Sequence, residues 1–298
     1  MYGYFAKIRI TAKKIYNNIM KQNAYAKINL TLEIVGKRSD GLHNIESVFQ
    51  EISLCDKIEI EKNNTLDIKF IPQIDTKKST AHTSSEIFFK KTRIREHAKI
   101  RIKKNIPIRS GLGGGSSDAA TTLLLLNKLF MYPMKNDELI KIGETIGSDV
   151  SFFFLGGTAL VEGKGNRVRL INPVKKLYVL LVIPSFSFST KDSYSQINGF
   201  KFDTTNSTKK LISILEKKKY DLSEIENCLH NDFEKMYLSV DKNFTSTLRN
   251  LEQKTSKKFH LTGSGSVLFA LFNNISEAKQ AQTKLKTTGV KTILTETR

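Results

Sequence analysis

The stretch of sequence that decides the fold is PIRSGLGGGSSDAA, residues 107–120. Four of the five residues 111–115 are glycine. The segment at 97–102 predicts a strand just before this stretch, and TTLLLLNKLF at 121–130 predicts a helix just after it. Glycine lets a backbone approach a ligand closely and adopt left-handed dihedral angles. The pattern therefore predicts a strand, a glycine loop and a helix that bind a ligand through backbone groups.

The start of the predicted helix has the chemistry of an anion site. Ser116 or Ser117 suits the N-cap, and Asp118 suits the positive end of the helix. Free amide groups at a helix N-terminus, aided by the helix dipole, bind phosphate. The stretch contains neither the Walker A pattern nor the third glycine of the dinucleotide-binding fingerprint. We therefore expect a polyphosphate, bound by a loop of another class.

Hydrophobic periodicity outlines the remaining elements. Apolar and polar residues alternate over Ala26–Ile34, which predicts a strand with one buried face. Lys27 and Asn29 share its polar face, because strand side chains repeat every two residues. The polar residues 73–85 are predicted to form a loop. In the last third of the chain helices alternate with strands, which indicates an α+β layer.

The composition of the 298 residues limits the classes of function. No apolar run reaches the roughly 18 residues of a membrane span, so no membrane partner is expected. Cys55 and Cys228 lie far apart and fit neither a zinc cluster nor a disulfide framework, which suits a reducing cytoplasm. The net charge of +19 is spread along the chain without a nucleic-acid-binding motif. We therefore expect anionic small molecules, and no nucleic acid, as ligands.

Three stretches together resemble the motifs of the GHMP kinase superfamily, which phosphorylates small molecules with ATP. The glycine-rich stretch at 107–120 resembles the ATP-binding motif. AYAKINLTLEIVGKRSDGLHNIESVFQEI at 24–52 resembles the first motif, and HLTGSGSVLFALF at 260–272 resembles the third. Each stretch alone indicates only the superfamily.

With GSDVSFFF at 147–154 and NDFE at 231–234, the resemblance becomes narrower. The combined motifs resemble those of the kinases that act on cytidine-diphosphate-linked methylerythritol in the non-mevalonate route to isoprenoid precursors. The resemblance extends over about residues 23–296. It implies an ATP-dependent phosphotransferase that phosphorylates the 2-hydroxyl group of this small molecule.

The resemblance also implies an α+β, two-lobed GHMP kinase fold. Its N-terminal lobe is a ribosomal-protein-S5-like α/β domain, and its C-terminal lobe is a ferredoxin-like α+β domain. We expect an N-terminal extension at 1–22, the ATP-binding domain at 23–180 and the C-terminal domain at 181–298. A cytoplasmic monomer or weak homodimer is expected.

Two residues match the catalytic positions of the family. Asp149 matches the general base that takes the proton of the hydroxyl group. Lys27 matches the active-site lysine, whose ammonium group keeps the aspartate ionised and offsets charge on the transferred phosphoryl group. Asn29, on the same strand face as Lys27, is expected to bind hydroxyl groups of the substrate.

The resemblance assigns the ATP site to the glycine-rich stretch and adds Mg²⁺ as the cation. A serine hydroxyl group is expected to bind that ion, and we assign this role to Ser117. The residues expected to bind ATP are Pro107, Gly111, Leu112, Gly113, Gly114, Gly115, Ser116 and Ser117.

The substrate site is expected to combine a cytidine end with a phosphate end. His43 matches the family segment that binds cytidine, but Leu42 replaces the tyrosine that usually precedes this histidine, so one aromatic stacking surface is lost. Other substrate contacts are expected from further aromatic and small residues: Phe49, Thr190, Tyr194, Gly263 and Gly265. Two alternatives remain open: another GHMP kinase of the homoserine or mevalonate type, and a non-catalytic protein that binds ATP or RNA on this scaffold.

Overall fold

Two β-sheets form the framework of the fold in the residues that the computed structural model describes, 19–200 and 205–298. An extension was expected at 1–22, and its residues 1–18 lie outside the described residues. Residues 20–22 belong to the first strand, so the N-terminal lobe begins earlier than expected. The strands are Met20–Lys37 (β1), His43–Asn63 (β2), Asp67–Ile71 (β3), His97–Lys103 (β4), Thr158–Gly163 (β5), Arg167–Leu170 (β6), Tyr178–Ile183 (β7), His230–Asn231 (β8), His260–Leu261 (β9), Leu268–Phe272 (β10) and Lys291–Glu296 (β11).

Helices cover the sheets and separate the strands. The α-helices are Thr80–Thr92 (α1), Gly114–Leu129 (α2), Asn136–Ile146 (α3), Thr190–Ile197 (α4), Ser207–Leu215 (α5), Leu222–Glu226 (α6), Asp232–Val240 (α7), Lys242–Thr255 (α8) and Ile275–Leu285 (α9). A 3₁₀ helix, Ser148–Phe154, follows α3. Within the residues described, no helix has both the length and the hydrophobicity needed to cross a membrane.

The N-terminal sheet has the strand order β3-β4-β2-β1-β8, and β5 joins β2 to β6. The long hairpin of β1 and β2 runs antiparallel through its centre. Helices α1, α2 and α3 pack on one face through a buried apolar cluster that includes Ile58, Ile100, Leu123 and Leu126. Burying each such side chain contributes about 1.5–3 kcal/mol to the stability of the fold. Because α2 is part of this cluster, the cluster also fixes the position of the glycine loop at the start of α2.

The C-terminal sheet has the strand order β11-β7-β10-β9 and is antiparallel throughout. In chain order its strands follow the β-α-β-β-α-β scheme of a ferredoxin-like unit, as expected from the sequence. The expected domain boundary after residue 180 falls inside β7. All of β7 pairs within this sheet, so the boundary belongs in the preceding connection, residues 171–177.

Strand β1 is buried on both faces, whereas its alternating sequence predicted one exposed face. The C-terminal lobe covers the polar face and supplies hydrogen-bond partners to it: Thr31 Oγ1 lies 2.8 Å from Thr208 Oγ1, and Glu33 accepts from the amide of Thr208 at 3.0 Å. The apolar face of β1 belongs to a cluster that also contains Leu181 and Phe269. The two lobes therefore pack together along β1, and β2 adds a further contact where the amide of Leu54 donates to Thr295 Oγ1 at 2.9 Å.

Helix α1 begins within the segment predicted to be a loop, at Thr80. Ser79 is its N-cap, and the Ser79 hydroxyl group accepts a hydrogen bond from the amide of His82 at 3.1 Å. The hydroxyl group of Thr80 donates to the carbonyl oxygen of Gly115 at 2.6 Å. The helix thus supports the glycine loop from the side, a contact between segments distant in the chain.

Candidate active site

A cavity of about 400 Å³, which we call the central cavity, lies where the two lobes meet. Lys27, Asn29 and Asp149 form its polar floor. The glycine loop that leads into α2 forms one wall, and residues 263–264 form another. All three stretches that carry the sequence motifs therefore reach one cavity.

Apolar side chains from both lobes line the central cavity. Phe70, Ile74 and Pro107 belong to the N-terminal lobe. Tyr194 and Phe233 belong to the C-terminal lobe, and the β1–β2 hairpin adds further apolar residues. Each lobe therefore offers apolar surface to a ligand in this cavity.

The glycine loop forms an anion cradle at the start of α2. The helix begins at Gly114, and its N-cap is Gly113, with φ +74° and no side-chain cap hydrogen bond. Neither Ser116 nor Ser117 is the N-cap, contrary to the sequence prediction. Because no side chain caps the helix, its first amide groups stay free for a phosphate.

Two glycines in the loop are required by space as well as by dihedral angle. At Gly111, φ is +78° and a Cβ atom would lie 2.3 Å from the carbonyl oxygen of Thr262. At Gly113, a Cβ atom would lie 2.6 Å from the ring of Phe153. Gly111 therefore lets the two glycine loops touch, and Gly113 leaves room for the ring of Phe153.

Lys27 is the buried cation of the floor. Its side chain is 3% exposed, its Nζ donates to Asn29 Oδ1 at 2.7 Å, and a carboxylate oxygen of Asp149 lies 3.5 Å away. Burial lowers the pKa of Lys27, and the ion pair with Asp149 opposes that effect. The Nζ also lies 4.5 Å from the centre of the Phe49 ring. Phe49, which was expected to contact the substrate, thus supports the lysine at the lining of the cavity.

Asp149 is placed by the 3₁₀ helix that follows α3. Gly147 is extended, and the chain then turns so that Phe152 and Phe153 enter an apolar cluster beneath α2. The aromatic anchors leave Asp149 at the surface of the cavity, with 32% of its side chain exposed. This carboxylate is therefore accessible to a ligand, as a general base must be, and it is paired with a buried cation.

Asn29 links the lobes through its side chain. Its Oδ1 accepts hydrogen bonds from Lys27, from the amide of Gly263 at 2.8 Å and from Thr262 Oγ1 at 3.2 Å, while its Nδ2 donates to Ser47 Oγ at 3.0 Å. The side-chain amide group of Asn29 thus makes four hydrogen bonds within the protein. The side chain is therefore a clamp that fixes the second glycine loop. It also lines the central cavity, and the contact with substrate hydroxyl groups expected from the sequence remains a prediction.

His43 and Tyr194 form a stacked pair with ring centres 5.3 Å apart. Burial raises the pKa of the Tyr194 hydroxyl group. His43 is 7% exposed, and its Nε2 lies 3.1 Å from Asn198 Oδ1. Its Nδ1 is buried and has no hydrogen-bond partner among the described residues. Tyr194 lines the central cavity, whereas His43 lines a neighbouring cavity of about 530 Å³ beside the β1–β2 hairpin.

The structure brings most of the expected site residues to the central cavity, and four lie elsewhere. Leu112 points into the apolar core, and only its backbone takes part, through its carbonyl oxygen 3.0 Å from the amide of Lys27. Ser117 is buried and does not line the cavity, in contrast to Ser116. Besides His43, Gly265 lines an adjacent cavity instead.

A buried charge cluster beside the cradle was missed by the sequence analysis. Lys104 pairs with Asp56 and with Asp118, the latter at 2.6 Å. Burial raises the pKa of Asp118 to about 7, with Asp56 adding to the effect and Lys104 opposing it. The cluster joins the start of α2 to β2. The sequence signal was Asp118 itself, which was interpreted as a favourable charge at the helix start.

Side-chain oxygen atoms suited to a divalent cation line the cavity at the start of α2. The described residues contain no group of three or more His, Cys, Asp or Glu side chains able to hold a metal ion. Ser116, Asp118 and Asp149 nevertheless supply a hydroxyl group and two carboxylates at the cavity, and the Oδ1 of Asp118 is buried without a hydrogen-bond partner among the described residues. Mg²⁺ usually keeps several waters and shares the oxygens of a bound polyphosphate, so this donor set fits it.

Sequence profiles identify the two lobes. The profile of the GHMP kinases N terminal domain matches residues 79–157, and that of the GHMP kinases C terminal domain matches residues 211–291. GHMP kinases use ATP as a substrate. The fold class expected from the sequence is thereby confirmed.

Curated relatives cover nearly the whole chain. A 4-diphosphocytidyl-2-C-methyl-D-erythritol kinase of Clostridium tetani (strain Massachusetts / E88) is 38% identical over 272 residues, which are 90% of this chain and 96% of the relative. The protein of the same name from Thermosipho africanus (strain TCF52B) is 38% identical over 250 residues, 83% of this chain and 89% of the relative.

Solved structures share the fold. A crystal structure of 4-(cytidine 5′-diphospho)-2C-methyl-D-erythritol kinase superposes with a TM-score of 0.74 and 24% identity, covering 93% of this chain and 99% of the other. Homoserine kinase from Cytophaga hutchinsonii superposes with a TM-score of 0.72 and 16% identity, covering 100% of this chain and 97% of the other. At these identities the superpositions show the architecture alone.

Proposed function

The chain belongs to the 4-diphosphocytidyl-2-C-methyl-D-erythritol kinase family of the GHMP kinases, and we propose that it transfers the γ-phosphoryl group of ATP to the 2-hydroxyl group of 4-diphosphocytidyl-2-C-methyl-D-erythritol. The products are the 2-phosphate and ADP, in the non-mevalonate route to isoprenoid precursors. The observation that carries this proposal is the Lys27–Asp149 pair, 3.5 Å apart, on the floor of the cavity that the phosphate cradle opens into.

The donor nucleotide is assigned to the N-terminal lobe. The free amide groups at the start of α2 bind the phosphates of ATP, and the helix dipole adds positive potential there. Phe70, Ile74 and Pro107 offer apolar surface beside that cradle, which suits a nucleobase. The triphosphate would thus lie between the base-binding end and the Lys27–Asp149 floor.

The phosphoryl transfer needs one proton acceptor and one nearby cation. The acceptor oxygen forms a bond to the γ-phosphorus, the bond from that phosphorus to the β–γ bridging oxygen breaks, and ADP leaves. Asp149 takes the proton of the hydroxyl group. Lys27 pairs with this carboxylate and offsets the charge that develops on the transferred group.

Mg²⁺ fits this site as the companion of ATP. When bound, the ion neutralises charge on the polyphosphate. Ser116 and Asp118, which line the cavity at the start of α2, are positioned to hold the ion or its waters. Ser116 replaces Ser117 in that role because Ser117 is buried away from the cavity.

The acceptor is assigned to the C-terminal lobe. The stacked pair of His43 and Tyr194 and the unpartnered Nδ1 of His43 offer a flat surface and a hydrogen-bonding atom for cytosine. Thr190 lies between that pair and the second glycine loop, hydrogen-bonded to Ser264 at 3.0 Å. The methylerythritol part then spans the distance to Asp149.

Incubation with Mg-ATP and 4-diphosphocytidyl-2-C-methyl-D-erythritol tests the proposal, with phosphorus NMR and ADP release as readouts. We expect a new phosphomonoester signal and one ADP for each product molecule. Homoserine and mevalonate serve as competing acceptors, since kinases of both types share this fold. Turnover of either one without turnover of the cytidyl compound would overturn the substrate assignment. ATP binding with no turnover of any acceptor would favour the non-catalytic alternative.

Three expectations from the sequence remain predictions. They are a cytoplasmic location, the absence of a nucleic-acid partner, and a monomer or weak homodimer. Sedimentation of the purified protein at several concentrations measures the last of these.

A further inference from the structure

Arg109 occupies an unusual place in the glycine loop. Its backbone is left-handed, with φ +55°, and its side chain is exposed. It forms no ion pair or hydrogen bond with the part of the chain that the structure describes. A left-handed arginine in a phosphate-binding loop is costly, because only glycine, asparagine and aspartate adopt this conformation readily. The guanidinium group therefore bonds to no described residue of the chain and is available to a ligand.

Arg109 lines two cavities at once. One is the central cavity, and the other, which we call the lateral cavity, has a volume of about 560 Å³. The lateral cavity is otherwise formed by residues 187–192, at the start of α4, and by Gly111 and Gly265 of the two glycine loops. Gly111 and Thr190 border both cavities, so the two spaces adjoin each other.

The lateral cavity has the charge of an anion site. Arg109 and Lys191 place two cations on its wall, and Asp192 places one carboxylate there. Ser187 and Ser189 add hydroxyl groups. The amide of Asp192 donates to Ser189 Oγ at 3.4 Å, so Ser189 caps α4 from within. The balance of one positive charge and the exposed guanidinium favour a phosphate, which arginine binds through two parallel hydrogen bonds.

The direction of the lateral cavity indicates which phosphate it receives. The donor nucleotide lies toward Phe70 and Ile74 of the N-terminal lobe, and neither residue lines the lateral cavity. The start of α4 lines the lateral cavity, and the same helix carries Tyr194, which lines the central cavity. With the cytosine of the acceptor at Tyr194, as proposed above, a phosphate held between the start of α4 and Arg109 belongs to the acceptor molecule.

We propose that Arg109 binds the diphosphate group of the acceptor substrate and so determines the preference of this enzyme for acceptors linked through a diphosphate. This inference rests on the proposed function, because it takes the acceptor to be a cytidine-diphosphate-linked alcohol. Lys191 contributes charge to the same subsite, and Thr190 forms the passage from it to the central cavity.

Calorimetry with cytidine 5′-diphosphate and cytidine, in the presence of a non-hydrolysable ATP analogue, tests this proposal without requiring turnover. The variant is Arg109→Asn, since asparagine tolerates the left-handed backbone. We expect its Kd for cytidine 5′-diphosphate to rise at least about tenfold, with the Kd for cytidine changed less than about twofold. Arg109→Lys keeps the charge but cannot form the two parallel hydrogen bonds of arginine. Its Kd for cytidine 5′-diphosphate should lie between the values of the parent and of Arg109→Asn.

Arg101→Asn, an exposed arginine on β4 outside both cavities, is the matched control and should bind all ligands as the parent does. Equal changes for cytidine and its diphosphate, or a weaker ATP analogue with cytidine 5′-diphosphate unchanged, would overturn the inference. Turnover of the parent protein is measured separately. Absence of turnover counts against the proposed function, while the ratio of the two Kd values decides the role of Arg109.

Discussion

The Nζ of Lys27 lies 3.5 Å from a carboxylate oxygen of Asp149, and the two partners differ sharply in their contact with water. Lys27 is sealed beneath the second glycine loop, whereas about a third of the Asp149 side chain remains exposed at the cavity. The buried partner can hold and orient charge, and the exposed partner can meet a substrate. This asymmetry yields separate predictions for the two residues.

Asp149→Asn should lower kcat at least ~100-fold, because the amide cannot accept the proton of the hydroxyl group. The Kd for ATP should stay within about twofold, since the phosphate cradle is formed by backbone groups of another element. Steady-state turnover and equilibrium binding of a fluorescent ATP analogue measure the two effects. Asp137→Asn, at the exposed start of α3, is the control. Near-normal turnover by Asp149→Asn would refute its assignment as the base.

Lys27 predicts opposite pH trends for activity and stability. Burial lowers its pKa below 10.5, so the ammonium group loses its proton in the folded protein before it does in the unfolded chain. Between those two pKa values the unfolded state binds more protons, so this residue makes the free energy of unfolding rise with pH. In the same window kcat/KM should fall, because the charged form is the active one.

Lys27→Arg checks this assignment, because arginine keeps its charge throughout the accessible pH range. The variant should be slower, and the basic limb of its kcat/KM profile should move to higher pH. Parallel pH profiles of turnover and of urea-induced unfolding measure both trends. A basic limb at the same pH in the variant and the parent would assign that limb to another group.

Asn29→Ala should loosen the contact between the lobes. It removes the acceptor of the buried Gly263 amide and one of the hydrogen bonds of each of the Ser47 and Thr262 hydroxyl groups. The free energy of unfolding should drop by about 1–3 kcal/mol, and KM should rise for both substrates. Asn23→Ala, on the exposed start of the same strand, is the control. A higher KM for the acceptor alone would instead support the substrate role expected from the sequence.

Gly111→Ala should abolish ATP binding and destabilise the fold by more than backbone strain alone. Its Cβ atom would lie 2.3 Å from the backbone oxygen of Thr262. Gly289→Ala separates the two causes, because Gly289 has a similar φ of +73° but no atom within 4 Å of its Cβ position. That control should lose only about 1–2 kcal/mol. Equal losses in the two variants, measured by thermal unfolding, would show that the steric contact has no effect.

Leu42→Tyr should tighten binding of the cytidine end. Leu42 is 50% exposed and directly precedes His43, whose ring already stacks on Tyr194. An added aromatic ring there supplies a further stacking surface, worth about 0.5–1.5 kcal/mol beyond its buried area. The acceptor KM should fall a few-fold while the KM for ATP stays constant. An unchanged acceptor KM would place the cytosine away from the hairpin tip.

The polar face of β1 illustrates where sequence reasoning reached its limit. Alternation over Ala26–Ile34 correctly predicted a strand, and the pairing of Lys27 with Asn29 on one face was also right. The exposure predicted for that face was wrong, because the partners of Asn29, Thr31 and Glu33 come from the other lobe. A period of two reports which residues share a face, and it contains no information on what covers that face.

The sequence by itself determined the glycine loop, the helix that begins in it and the family of the enzyme. Those features depend on backbone requirements of contiguous residues, where glycine is the one residue that fits both the dihedral angles and the space. Only the tertiary structure decided that Asp149 meets Lys27, that Asn29 is a clamp, and that Arg109 faces a second cavity. These relationships join segments far apart in the chain. The packing of the two lobes against the β1–β2 hairpin fixes these relationships. A short stretch of sequence does not indicate which distant segments will pack against it.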